Sequence, residues 1–249
     1  MDNVSSLLDK RALITGASRG IGAAIARKLA RAGADIAITY RNSTDKAAEL
    51  VVEIEATGRQ AVAIAANAAD PAAVENSVQA AVKELGGLDI LVNNAGIGRV
   101  GILESMSLSD IQALLDVNIR SAILACRSAI PHLSASGRII NIGSVAADRV
   151  PFPGCSIYSL TKASLVGLTR GLARDLAPRG ITVNIVHPGP TNTDANPSDG
   201  PMADQILNVI PLGCYGEPDD IATMVTYLAG PDARQITGAA FTVDGGTNT

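Results

Sequence analysis

Short, almost continuously apolar runs recur along the chain, separated by longer stretches in which apolar residues return every three or four positions. The runs at 11–15, 35–40, 60–65, 88–93, 137–142, 182–187 and 239–243 read as strands, since alternation is lost where a strand is buried on both faces. The stretches 20–32, 44–57, 71–84, 108–133, 156–177 and 219–228 carry the helical period. Strand and helix in alternation predict an α/β fold, a doubly wound, Rossmann-like parallel sheet of seven strands with helices on both faces. Asp70 before Pro71 marks one helix start, and Pro178 with Gly180 stops the helix that carries Tyr158 and Lys162. No linker, internal repeat or low-complexity segment interrupts the pattern, so residues 1–249 are expected to form one domain. The Pro/Gly/Asp/Asn-rich stretch 188–201 lies inside the pattern and reads as a long functional loop.

Composition narrows the picture. Hydrophobic residues make up 47% and aromatics only 2%, so the core must be built from Ala, Val, Ile and Leu. A net charge of −4 offers no basic surplus for nucleic acid. The apolar segments are broken by charges or glycines before the roughly 20 residues a membrane span needs. The start at 1–4 lacks the basic and apolar stretches of a signal peptide, and Cys126, Cys155 and Cys214 show no paired spacing. These features together predict a cytoplasmic protein with reduced thiols. His132 and His187 lie far apart without ligand-like neighbours, so no metal site is expected.

Candidate chemistry begins where the first strand ends, in Thr15-Gly16-Ala17-Ser18-Arg19-Gly20-Ile21-Gly22. Phosphate binding needs a tight turn, close backbone approach and a helix N-terminus with free N–H groups, which glycines at a strand–helix junction supply. The spacing is GxxxGxG, and on this feature alone a merely structural turn stays open. Tyr158 and Lys162 are four apart on one helix, so both emerge on one face. A nearby cation favours the phenolate and can lower a tyrosine's ordinary pKa of about 10 by about 1–3, which suits proton transfer at oxygen. Ser144 ends the fifth strand, at the sheet edge where open α/β folds bind ligands, and can orient a substrate oxygen; Gly143 beside it permits close approach. Asn118 sits mid-helix, where asparagine is not a favoured helix former.

The glycine turn, Asn93-Asn94-Ala95-Gly96, Asn118, Ser144, Tyr158-Ser159-Leu160-Thr161-Lys162, Pro188-Gly189 and Val243-Asp244-Gly245-Gly246 follow one another in order. In this the chain resembles the short-chain dehydrogenase/reductase family over residues 10–246. The resemblance implies a catalytic set of Asn118, Ser144, Tyr158 and Lys162, with Asn118 keeping a helix kink and a water bridge from Lys162. It implies that Gly16, Ser18, Arg19, Gly20, Ile21 and Gly22 form the cofactor turn. Tyr40, Arg41, Asn42 and Ser43 would follow the second strand beside it. Asn67, Ala68, Asn94, Ala95 and Gly96 would meet the adenosine, Tyr158 and Lys162 the nicotinamide ribose, and Pro188, Gly189, Thr191 and Thr193 the carboxamide and pyrophosphate. Relatives that select NAD usually end the second strand with a carboxylate, whereas none occurs here until Asp45. Arg41, with Arg19, can instead pair with a 2′-phosphate, so NADP(H) is expected rather than NAD(H).

The expected activity is therefore reversible NADPH-dependent reduction of a ketone or aldehyde to an alcohol, with Tyr158 the proton donor and acceptor. An NAD-dependent secondary alcohol dehydrogenase is the enzymatic alternative, and a catalytically silent nucleotide-binding sensor the other. The pocket should be bounded by 144–150, 151–155 and 190–208. Val145, Val150, Phe152, Ile206 and Leu207 favour an uncharged, moderately hydrophobic small-molecule substrate. The chain resembles both the 3-oxoacyl-carrier-protein reductase and the polyhydroxynaphthalene reductase branches. The latter likeness rests on Tyr40–Thr44 and the fourteen-residue gap from Ser144 to Tyr158. The resemblance also implies a homotetramer, or a homodimer, assembled through the helices at 108–133 and 156–177.

Overall fold

The computed structural model describes residues 6–150 and 152–249; the start at 1–4 and Pro151, one end of an expected pocket wall, lie outside them. The strands are β1 (Arg11–Ile14), β2 (Asp35–Tyr40), β3 (Ala61–Ala65), β4 (Leu88–Asn93), β5 (Leu133–Ile142), β6 (Thr182–Pro188) and β7 (Ala240–Val243). They form one sheet in the order β3-β2-β1-β4-β5-β6-β7, and every neighbouring pair is parallel. The chain therefore steps outward from β1 to β3, returns to the other side of β1, and continues outward to β7. The reversal leaves a crevice at the carboxyl ends of β1 and β4, where doubly wound sheets bind ligands.

Alternate strand residues supply two cores. Ala12, Ile14, Ile36, Ile38, Ile90, Val92, Ile140 and Ile142 pack on one face against α1 (Gly20–Arg31), α2 (Thr44–Glu55) and α8 (Pro218–Ala229). Leu13, Ala37, Leu91, Ile139 and Val183 pack on the other face against α3 (Pro71–Leu85), α5 (Ser121–Ala129) and α6 (Ser156–Leu176). Both sets are branched or small, which explains how a core nearly free of aromatics closes. Each fully buried Leu or Ile contributes about 1.5–3 kcal/mol. Local signals end the helices as the sequence suggests. The Asp70 carboxylate accepts from the N–H groups of Ala72 and Ala73, with Pro71 in the first turn, and Gly86 closes α3 at φ 72°.

The apolar periodicity over 108–133 reads as one helix, but four helical pieces are present. α4 (Leu108–Leu115) passes into a π-helical turn at Asp116–Arg120 and then into α5. Pro131 lacks the N–H that a further α-turn needs, and Ile130–His132 tighten into a 3-10 turn instead. β5 begins at Leu133, four residues before the expected 137, because its pairing with β4 shifts register between Leu88 and Ile90. A short α7 (Ala203–Leu207) follows the loop read at 188–201. Cys126, Cys155 and Cys214 are free thiols. No helix among the described residues is long and apolar enough to cross a membrane.

Candidate active site

The glycine turn connects β1 to α1 and is held from both neighbouring strands. The Gly16 N–H donates to Thr39 Oγ1 (2.9 Å), and the Ala17 N–H donates to the Thr39 carbonyl (2.9 Å). From β4, Asn94 Nδ2 donates to the carbonyls of Thr15 (2.9 Å) and Gly16 (3.0 Å), while Thr15 Oγ1 accepts the N–H groups of Asn94 and Ala95. A Cβ at Gly16, where φ is +62°, would lie 2.9 Å from Ala95 Cα; one at Gly22 would lie 2.5 Å from Asn94 Nδ2. α1 has no side-chain cap and no acidic residue in its first turn. Its amino end thus presents free N–H donors and an uncompensated positive dipole, the elements of an anion site. Ser18 and Ile21 are half-buried in this turn. Beside it lies a cleft of about 340 Å³ bordered by Gly20, Thr193, Asp194 and Glu217. A smaller recess is lined by Thr15, Thr39, Ala68 and Ala95. Asn67, next to Ala68 in sequence, accepts the Ala69 N–H on its Oδ1.

Beyond β6 the chain is pinned close to β7. The Gly189 N–H donates to the Val243 carbonyl (2.9 Å), and a Cβ at Gly189 would meet Asp244 Cα at 2.5 Å. Thr191 is buried in a bridge to Gly216, its hydroxyl donating to the Gly189 carbonyl (3.0 Å). Thr193 lies over Gly20, 3.5 Å from a Cβ placed there, so this loop faces the amino end of α1.

Asn118, Ser144, Tyr158 and Lys162 come together from three elements. The π-helical turn aims Asn118 inward. Its Oδ1 accepts the Ile97 N–H (2.8 Å), and its Nδ2 donates to the Ile97 carbonyl (2.9 Å) and to Thr161 Oγ1 (3.1 Å). A kink is therefore present at Asn118, and the side chain ties it to α6 and to the segment after β4. Ser144 follows β5; its Oγ accepts the Ala146 N–H (3.1 Å), and its hydroxyl lies on the side of the Tyr158 phenol, where it favours the ionised form. Lys162 Nζ donates to the Ile142 carbonyl (3.0 Å) and lies 5.9 Å from the centroid of the Tyr158 ring.

The electrostatics differ in sign from the simple expectation for a cation beside a phenol. Burial pushes the Tyr158 phenol up, with the Ser144 hydroxyl pulling the other way and Cys155 adding to the rise. Burial also pushes the Lys162 ammonium down, to about 8. Lys162 is only 6% exposed, so losing hydration costs its charge more than the neutral phenol repays. The charge pair becomes favourable only once the phenol has lost its proton.

A family model described as enoyl-(acyl carrier protein) reductase matches residues 16–248. A short chain dehydrogenase from Burkholderia cenocepacia, solved in complex with NADP, is 54% identical, with a TM-score of 0.97 and coverage of 98% of this chain and 100% of that one. This chain belongs to the short-chain dehydrogenase/reductase family. As a short-chain dehydrogenase/reductase it is an NAD(P)-dependent oxidoreductase. Among its curated relatives, the cyclic-di-GMP-binding biofilm dispersal mediator protein of Escherichia coli is 44% identical, covering 95% of this chain and 96% of that protein. A 3-oxoacyl-[acyl-carrier-protein] reductase of Synechocystis sp. is 42% identical, covering 98% of each.

Three features of this short-chain dehydrogenase/reductase escape a linear reading. Arg41 and Asn42 are exposed at the end of β2, with Tyr40 and Ser43 half-buried. A third cation joins this side, since Lys46 Nζ and Arg19 Nη1 both pair with Asp194 Oδ2, at 2.9 and 3.4 Å. Lys46 could have been noticed in the first turn of α2, where the helix dipole disfavours a cation; its pairing with a residue 148 positions away could not. The segment after β4 also reaches the mouth of the site. The Gly101 N–H donates to the Gly154 carbonyl (2.9 Å), setting exposed Val100, Ile102 and Leu103 beside the approach to Tyr158. Of the expected apolar wall, Val145 is buried, Phe152, Ile206 and Leu207 are half-buried, and Val150 is exposed. The third feature is His187, which lies directly behind Ser144.

Proposed function

We propose that this enzyme reduces a ketone or aldehyde to the corresponding alcohol, reversibly, with NADP(H) as cofactor. The observation that carries the reading is the convergence of the Ser144 hydroxyl, the Tyr158 phenol and the buried Lys162 ammonium beside an uncapped helix N-terminus. That N-terminus and the close backbone approaches at Gly16 and Gly22 fit a dinucleotide pyrophosphate. Thr191 and Thr193 stand ready for its other half, and Arg19, Arg41 and Lys46 favour a 2′-phosphate. When bound, the cofactor supplies or accepts the hydride. The Ser144 and Tyr158 hydroxyls hold the substrate oxygen, and Tyr158 gives it a proton as the adjacent carbon is reduced. Lys162 then stabilises the phenolate left behind, and oxidation runs the same proton path in reverse. Val100, Ile102, Phe152, Ile206 and Leu207 favour an apolar substituent on the carbonyl.

The test is a ketone and aldehyde panel assayed with NADPH and NADH. Tyr158→Phe should lower kcat by about 100-fold or more while leaving NADPH binding intact. Undiminished turnover would remove Tyr158 from its role, and a cofactor preference unchanged in Arg41→Asp would remove Arg41 from cofactor selection. One observation favours a second reading, the 44% identity to a cyclic-di-GMP-binding protein. Titration of cyclic di-GMP separates the two readings, because binding without turnover on the panel supports the sensor. Exposed Leu108, Ile123 and Leu160 on α4, α5 and α6 support assembly of identical subunits, with a tetramer as the proposed state. The free thiols suit a reducing compartment such as the cytoplasm.

A further inference from the structure

We propose that His187 is a positioning residue that fixes Ser144 in its working orientation through the Ser144 backbone. The proposal rests on the reading of Ser144 as the group that orients the substrate oxygen. His187 sits at the end of β6, opposite Thr242 of β7, and is fully buried at 0% exposure. Its Nδ1 accepts the N–H of Ser144 at 3.1 Å. An acceptor nitrogen carries no proton, so the ring is the neutral tautomer with its hydrogen on Nε2. Asp148 and Lys162 are the charged groups that act on the imidazole.

The neighbouring residues are arranged around this contact. Gly143 donates its own N–H to the Val186 carbonyl (2.7 Å), holding the chain against β6 one residue before Ser144. A Cβ at Gly143 would collide with His187 Nδ1 and would lie 2.7 Å from its Cε1. Glycine at 143 is therefore what admits the imidazole, whereas the sequence suggests only close approach of a ligand. Ser144 has extended backbone, at φ −170° and ψ 152°, so no helical bond holds its N–H. With the N–H tied to His187 and Oγ tied to the Ala146 N–H, the hydroxyl proton is left to point toward Tyr158 or a substrate oxygen. His187 touches none of the reacting atoms and acts only through the serine.

Two polar replacements separate the role of Nδ1 from that of mere filling. In His187→Asn the amide oxygen falls at the position of Nδ1 and can accept the Ser144 N–H. In His187→Gln that position holds the amide carbon, which cannot accept a hydrogen bond, and the polar atoms move out to the position of Nε2. His187→Gln should lower kcat by about 10- to 100-fold, with the NADPH KM held within about twofold, and His187→Asn should recover to within about threefold of the parent. A second readout needs no turnover. The Tyr158 phenol, followed by phenolate absorbance against a Tyr158→Phe blank, should titrate higher in His187→Gln than in His187→Asn, because a misplaced serine no longer steadies the phenolate. Gln matching the parent in both measurements, or Asn impaired as much as Gln, overturns the proposal. If Tyr158→Phe keeps its turnover, the catalytic reading fails, and the turnover-free titration still decides whether His187 holds Ser144.

Discussion

At Lys162 the demands of folding and of chemistry oppose each other. Its ammonium is buried with one carbonyl partner, and its proton is released at about 8 rather than the ordinary 10.5. Such a displacement corresponds to on the order of 3 kcal/mol held against the folded state. Below pH 8 both folded and unfolded chains carry the proton, and the penalty is complete. Between about 8 and 10.5 the unfolded chain binds more protons, so this contribution to stability improves as pH rises. Lys162→Met should therefore raise stability near neutrality by about 1–3 kcal/mol, or about 2–10 °C in Tm, while abolishing turnover. A variant that melts lower than the parent at pH 7 would show that the buried charge is better compensated than these contacts indicate.

Among the elements, the strands were legible because near-continuous apolar runs have one good solution, burial between two helical layers. Ser144, Tyr158 and Lys162 were legible for a related reason, since their strand-end and helical positions fix where they emerge. The single helix read at 108–133 was not resolved into its parts. A π-helical turn at Asp116–Arg120 adds one residue to a turn, and apolar periodicity cannot register that. Asn118 alone hinted at the break. The pairing of Asp194 with Arg19 and Lys46, and of His187 with Ser144, depends on contacts across the fold that no local pattern encodes. The β1–α1 junction makes its own prediction. A Cβ at Gly22 would meet Asn94 Nδ2 at 2.5 Å and Ala17 Cα at 2.7 Å, and the latter is backbone that cannot rotate away. Gly22→Ala should cost about 1–3 kcal/mol of stability and weaken NADPH binding by about tenfold or more. Denaturant melts and NADPH fluorescence titration measure the two effects, and a variant unchanged in both would show that the turn relaxes freely.

On the scale of the whole molecule, α4, α5 and α6 each expose a large apolar side chain. Leu108 is 84% exposed, with Ile123 and Leu160 on the neighbouring α5 and α6. If these faces join identical subunits, Leu108→Glu combined with Leu160→Glu should reduce the mass found by light scattering and leave the helical circular dichroism intact. An unchanged mass would place the contact elsewhere.

The strand order has a consequence in time as well as in space. β1 leaves the ribosome first, yet one of its two sheet neighbours is β4, and the Asn94 side chain that locks the glycine turn arrives about eighty residues later. Ser144 in turn waits for His187 and for the β6 edge on which Gly143 rests. Local contacts cannot complete either half of the site, which is the condition for slow folding dominated by chain closure. A nascent chain that ends before residue 187 lacks the imidazole that anchors Ser144. The central sheet can form ahead of that point, but the active site is completed late in synthesis.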